Sequence, residues 1–441
     1  MSNLPSALLA LVTFSSTFQS PQAAEDPAAR VHALLAALAA KEFTRVEAQF
    51  NDLMKAALPP GGLEAAWTRV ITQAGPFKSC GATRTQDLAN MHVMVTTCEF
   101  ERARLDAQVA FDHDGKLGGL LFRPAAGPAV PYSTPPYANP TSYTERDVSV
   151  GSGEWSLPGT LEMPVGTGPF PALVLVHGSG PNDRDETILA NKPFKDLALG
   201  LATRGIAVLR YDKRSKVYPG KLQSVADFTV KQEVIDDALE AVKTLRATPG
   251  IDPARVYVLG HSLGGMLIPR IAAGDPSLAG VIVLAGAARP LEQAILEQTR
   301  YLAMADGTIT PEEQKQIDEA QKTVDTVRAL TPEDAKSPKP IFGAPASYWL
   351  DLRGYDPPTA AKNVKQPMLV LQGERDYQVT MDEFAGWKAS LAGKPNVTLH
   401  SYPALNHLLI AGTGKSLPAE YDTAGHVDEA VVRDIAEWIK R

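Results

Sequence analysis

Cysteine is almost absent from this chain of 441 residues: Cys80 and Cys98 are the two it has, too few for a disulfide-knitted scaffold. No apolar run approaches the roughly 20 residues that a membrane-spanning helix needs. Basic residues do not dominate either. Lys and Arg number 43 against 50 Asp and Glu, for a net charge of -7, and no long basic stretch occurs, which argues against nucleic acid as the main partner. What is there is the balance of an ordinary globular protein, with 44% hydrophobic and 21% charged residues. At this length the chain should form at least two folding units.

Residues 1–24 read as an export signal: an apolar centre at Ala7–Phe14 is followed by a polar stretch and small residues at Ala23-Ala24. Arg30 is the first basic residue, so the usual basic start is missing. Cys80 and Cys98 are placed in or beside neighbouring strands joined by a short connection, Arg84 to Asn90. In an oxidising compartment they are able to close a loop of about 18 residues, worth on the order of 3 kcal/mol. Two buried free thiols are the alternative.

Residues 25–123 show helical spacing first, at Val31, Leu34, Leu35, Leu38, Val46, Phe50 and Leu53, and then strands at Met91–Phe100, Leu105–Phe111 and Lys116–Phe122. The Asp114-Gly115 turn makes a hairpin of the last two. This predicts a small α+β domain. His92 and His113 lack any surrounding metal-ligand spacing and are read as a strand residue and a turn residue. Residues 124–142 form a linker, with six prolines between Pro124 and Pro140.

From residue 143 to 441 the pattern alternates. Apolar strands at Ala172–Val176, Ala207–Tyr211, Val256–Leu259, Val281–Ala285, Met368–Leu371 and Val397–Tyr402 are separated by helical stretches, which means a mostly parallel sheet covered on both faces. A hairpin, Tyr143–Val150 with Trp155–Met163, precedes it. The region of about 287–362 interrupts the alternation with polar amphipathic helix, Glu292 to Leu330, and an aromatic stretch around Tyr348-Trp349. It is read as a lid over the ligand crevice.

Three strand ends carry the chemistry. Gly260-His261-Ser262-Leu263-Gly264-Gly265 follows a strand directly and opens a helix, the context in which G-x-S-x-G exposes a nucleophilic serine on a sharp turn. Ser262 needs a base. His400 falls within a strand and His426 begins the last helix, whereas His407 lies in the loop past the final strand and is the candidate. The acid is Asp376 in Gly373-Glu374-Arg375-Asp376, with Glu374 as the alternative. The amide of Ser179 or Gly178, together with that of Leu263, would form an oxyanion hole. His177 shapes that loop. Asp183-Arg184-Asp185-Glu186 and Asp212-Lys213-Arg214 lie beside these strand ends, either bracing the loop or solvated. Lys213, Arg214, Lys216 and Lys221 form a basic set that is read as solvated loop charge.

With HGSG, GHSLGG, GERDYQVT and LNHLL in place, residues 143–441 resemble the α/β-hydrolase superfamily. HGSGPNDRDE, YDKRS and ASYWLDLRGYDP are similar to stretches of exported bacterial two-domain serine esterases. The small first domain resembles cystatin-like or NTF2-like modules. The resemblance implies hydrolysis of short-chain carboxylic esters as small-molecule substrates, a triad of Ser262, Asp376 and His407, no metal and no cofactor. An acyl-CoA thioesterase or serine peptidase of the same fold is the alternative, and a non-catalytic binding protein a remote one. The sequence gives no oligomeric state.

Overall fold

A computed structural model describes residues 26–58, 61–88, 91–125, 131–222, 225, 227–337 and 340–441. The apolar segment Ala7–Phe14 lies outside them. The chain divides into two compact units, Met1–Ala129 and Val130–Arg441.

In the first unit Asp26 caps helix α1 (Pro27–Ala39), accepting from Ala28 N–H, and Val31, Leu34, Leu35 and Leu38 bury one face. Helix α2 (Gly62–Ala74) follows. The sheet is an antiparallel meander of β1 (Phe77–Leu88), β2 (Met91–Phe100), β3 (Arg104–Phe111) and β4 (Leu117–Pro124). Trp67, Phe77, Phe100 and Phe122 pack edge to face or tilted in its core. The expected connection at Arg84–Asn90 is corrected here, because Arg84 to Leu88 continue β1 and pair with Val95 to Met91. Irregular register at Phe77/Ser79 and Cys80/Thr83 breaks the period-two pattern that reveals a strand. Cys80 and Cys98 face each other in this register and are disulfide-bonded.

The second unit is built on eight strands in the order β12-β11-β10-β9-β7-β8-β6-β5. These are β5 (Tyr143–Val150), β6 (Leu157–Pro164), β7 (Phe170–Val176), β8 (Ala207–Tyr211), β9 (Ile251–His261), β10 (Gly280–Leu284), β11 (Met368–Gly373) and β12 (Val397–Tyr402). The six from β7 to β12 run parallel, and β5 and β6 pair antiparallel at one edge. Helices α3 (Pro193–Thr203) and α10 (Glu429–Ile439) bury one face. The other is buried by α4 (Asp236–Arg246) and α5 (Leu263–Gly274). Two covered faces explain why the central strands β7, β8, β10 and β11 are buried along their length, whereas the edge strand β12, expected to be buried, alternates and buries only Tyr402.

β7 and β9 are neighbours although β8 lies between them in sequence. The winding reverses there, and in open α/β sheets such a switch point is where ligands bind, beyond the carboxyl ends of the strands. The described residues of 285–367 contribute no strand of the sheet. They supply α6 (Leu291–Ala303), α7 (Pro311–Ala329) and α8 (Ala346–Leu352). The predicted continuous helix over Glu292–Leu330 is thus two, separated by a turn with Gly307 at φ +93° and restarted by a capping box of Thr310 and Glu313. The insertion is tied to α5: Arg270 Nη1 donates to Asp351 Oδ2 at 2.9 Å and Tyr355 Oη to the Met266 carbonyl at 2.9 Å. Helix α9 (Met381–Ser390) follows β11.

Candidate active site

Ser262 joins β9 to α5 with φ 53° and ψ -114°, a left-handed backbone that a side chain rarely adopts. The flanking glycines make it possible. A Cβ on Gly260 would stand 2.2 Å from the Gly264 carbonyl oxygen, and one on Gly264 would stand 2.4 Å from that of Val176. Ser262 N–H donates to Leu284 O at 3.0 Å, and its carbonyl accepts from Met266 N–H at 2.9 Å, opening the helix. The hydroxyl is therefore raised at the N-terminal, partially positive end of α5.

Past β11 and β12, two loops meet. Gly373 has no side chain because a Cβ there would lie 2.5 Å from Leu405 O and 2.7 Å from Asn406 O. Asp376 and His407 are buried, and His407 Nδ1 donates to Asp376 Oδ2 at 2.7 Å. Gln372 Nε2 donates to the same oxygen at 3.0 Å, while Asp376 Oδ1 accepts from the N–H groups of Gln378 (2.8 Å) and Val379 (2.9 Å). A carboxylate on Nδ1 fixes the tautomer in which Nε2 is free to accept a proton. Glu374 is exposed and accepts from Ser401 Oγ at 2.8 Å instead.

His407 is brought to the serine turn through its neighbour. His261 Nε2 donates to the His407 carbonyl at 3.0 Å, and the two rings lie 4.7 Å apart. Among the described residues Ser262 Oγ makes no hydrogen bond, to His407 or to any other group. Links between nucleophile and base commonly tighten only when substrate is bound.

The loop after β7 corrects one prediction. Gly178 N–H donates to Glu186 Oε1 at 2.6 Å, so it is already spent and is no oxyanion donor. The N–H groups of Ser179 and Leu263 have no acceptor among the described residues. Gly178 lies against the serine: a Cβ there would be 3.1 Å from Ser262 Cβ.

Residues 173–426 match the profile of the alpha/beta hydrolase family, and residues 32–120 that of a family described as "Protein of unknown function (DUF3887)". The chain belongs to the α/β-hydrolase family. Esterase EstD of Thermotoga maritima is 42% identical to it over 392 residues, covering 88% of this chain and 89% of that protein. Similar solved structures include an esterase of Pyrococcus furiosus, at 17% identity and TM-score 0.43 over 71% of this chain and 96% of that one. Another is Est1E of Butyrivibrio proteoclasticus, at 17% identity and TM-score 0.40 over 67% and 96%.

In this hydrolase several site residues have no signal in the motif itself. Glu186, at φ 51°, turns back from the loop and pairs with His261 Nδ1 at 2.9 Å, both side chains being buried. Burial alone would lower the His261 pKa, but Glu186 outweighs it and raises it. Glu186 is lowered, the imidazole charge overcoming the burial that would raise it. The acidic run is not solvated charge but a brace: Arg184 Nη2 meets Asp212 Oδ2 at 3.0 Å, and Lys192 Nζ meets Asp185 Oδ2 at 2.6 Å. Of the basic set, Lys213 is buried on Glu233 and Arg214 pairs with Asp237. A cavity of about 660 Å³ between α6, α7 and the Tyr377–Asp382 loop is not lined by Ser262 or His407, so it lies apart from this chemistry.

His177 is buried, its Nε2 donating to the Asp183 carbonyl at 3.0 Å. Burial depresses its pKa from 6.5 to about 4. A depressed histidine contributes stability that is present above pH 6.5 and lost as the pH falls to 4, here about 3 kcal/mol. Urea unfolding at pH 7 and pH 4 should therefore show His177→Gln losing about 3 kcal/mol less than the native chain over that interval. Equal losses would contradict the assignment.

Proposed function

We propose that this chain is a serine carboxylesterase that hydrolyses short-chain carboxylic esters through an acyl-enzyme on Ser262. One observation carries the reading: a buried Asp376–His407 pair is hydrogen-bonded, through His261, onto the strained turn that presents Ser262. The 42% identity to a protein named an esterase supports it.

Ser262 Oγ attacks the ester carbonyl while His407 Nε2 takes its proton, and the N–H groups of Ser179 and Leu263 receive the developing oxyanion. His407 then protonates the departing alcohol and activates the water that frees the acid. Asp376 holds the imidazole and balances its positive charge. Helices α6 to α8 act as a lid. Export belongs to the same proposal, and the Cys80–Cys98 disulfide supports it, because such bonds persist in oxidising compartments.

Rates on p-nitrophenyl esters of increasing acyl length, an acyl-CoA and an aminopeptide anilide test the reaction class. kcat/KM should be highest for acetate or butyrate and at least about 100-fold lower for the thioester and the anilide. Preference for either of those two would replace the reading.

A further inference from the structure

Lys213, just past β8, is 2% exposed at its side chain. Its Nζ donates to the Gly178 carbonyl oxygen at 2.8 Å, which also accepts a longer bond from Asn182 Nδ2 at 3.2 Å, and pairs with Glu233 Oε1 at 2.8 Å. The other oxygen, Glu233 Oε2, accepts from Tyr348 Oη of α8 at 2.9 Å. Gly178 is thus gripped on both sides, its N–H by Glu186 and its C=O by Lys213. The peptide that begins with this carbonyl ends in the Ser179 N–H. In a trans peptide C=O and N–H point in opposite directions. Fixing the oxygen on Lys213 therefore aims the Ser179 N–H the other way.

Stability does not account for this arrangement. Burying an ammonium and a carboxylate costs several kcal/mol per ion, and well-packed apolar residues are usually at least as stable in their place. Glu233 also sits in a π-helical turn, Lys231–Ile235, that leads directly into α4. Such a turn holds a rarer backbone and is frequent at functional sites.

Resting on the esterase reading, we propose that Lys213 is a positioning residue of the oxyanion hole. Its ammonium holds and polarises the Gly178–Ser179 peptide, so that the Ser179 N–H is a pre-aimed, stronger donor to the tetrahedral intermediate. Glu233 neutralises and orients that ammonium, and Tyr348 ties the pair to the insertion.

Lys213→Met alone would strand Glu233 as a buried charge, so the test uses Lys213→Met/Glu233→Gln, which removes both charges and leaves Tyr348 an acceptor. Outright loss of an oxyanion donor costs about 10²- to 10³-fold. Here the donor stays but loses the short, charged hold, keeping only the longer neutral bond from Asn182, so kcat on p-nitrophenyl butyrate should fall by about 10- to 100-fold while KM stays within about twofold. The Ki of a trifluoromethyl ketone, whose adduct on Ser262 carries the oxyanion, should weaken by the same factor as kcat. A purely structural role would lower the melting temperature without that matched loss. A folded double variant with kcat and Ki within about threefold of native overturns the proposal, because a lost hold on a donor should cost more. Should it not fold, Lys213→Gln/Glu233→Gln, whose amides can pair, is measured in its place with the same expectation. Ser262→Ala is assayed alongside. Turnover in that variant defeats the esterase reading itself, whereas its loss with an unaffected double variant defeats only the role of Lys213.

Discussion

Ser262→Ala should hydrolyse p-nitrophenyl butyrate about 10⁵-fold more slowly than the native chain while keeping its fold. The backbone argument predicts an intact fold, because Ser262 Oγ makes no hydrogen bond among the described residues and the turn is shaped by Gly260 and Gly264. What disappears is the atom that forms the covalent bond. The residual rate over water would come from the donors at Ser179 and Leu263, which still favour an oxyanion. Circular dichroism and a melting curve beside the assay separate this outcome from unfolding. Activity within tenfold of native would remove Ser262 from the mechanism.

A second serine serves as an internal control. Ser133 Oγ lies 3.2 Å from His426 Nε2, and His426 Nδ1 lies 3.1 Å from Asp196 Oδ1, the same order of groups. The surroundings differ. Ser133 is on an exposed segment ahead of β5 with no strained turn, and Asp196 also accepts from Tyr132 Oη and the Val427 N–H, which ties that segment to the chain before α10. Hydrogen-bond order alone does not make a nucleophile. A fluorophosphonate should label native protein and Ser133→Ala equally, and Ser262→Ala not at all.

Asp376→Asn carries the next largest effect, a fall in kcat of about 10⁴-fold. The local hydrogen bonds decide which way the new amide faces. Oδ1 accepts from two backbone N–H groups, of Gln378 and Val379, so the amide oxygen must stay there. The NH₂ then occupies the Oδ2 position, facing two donors, His407 Nδ1 and Gln372 Nε2. Relief comes when the imidazole moves its proton to Nε2, and in that tautomer it cannot accept the Ser262 proton. Gln372 Nε2 keeps the Val379 and Gly373 carbonyls as acceptors, at 2.7 Å and 3.1 Å, so stability should stay near native. Glu374→Gln is the matched comparison. Its carboxylate is exposed and bonded to Ser401, so kcat should stay near native. The reverse pattern, with Asp376→Asn active and Glu374→Gln inactive, would reassign the acid.

The sheet and its strand ends were readable in the sequence because burial on two faces writes itself as uninterrupted apolar runs. Ala207–Tyr211, buried along its length, needed no adjustment at either end. The serine turn was readable because crowding at 2.2–2.4 Å admits only glycine at 260 and 264. The second half of β1, Arg84 to Leu88, was not, since Cys80-Gly81-Ala82-Thr83-Arg84-Thr85-Gln86 has no apolar alternation and the register slips between Cys80 and Thr83. The choice between Ser179 and Gly178 as oxyanion donor was not legible, because Glu186, the acceptor that occupies the Gly178 N–H, stands eight residues on and reaches back through a positive φ. The Lys213–Glu233–Tyr348 file joins three distant segments, and a lysine destined for burial has the same letter as one in solvent. Local pattern reports what each segment does alone; charge pairs formed across segments leave no periodic trace.

The covalent intermediate itself is the most direct test. Native protein mixed with excess p-nitrophenyl butyrate, quenched in acid within the first turnover and digested for mass spectrometry, should carry one butyryl group per chain, on the peptide containing Ser262. His407→Ala should accumulate none on that timescale. A butyryl group on any other residue, or a native enzyme that turns over rapidly with Ser262 never modified, would contradict the account.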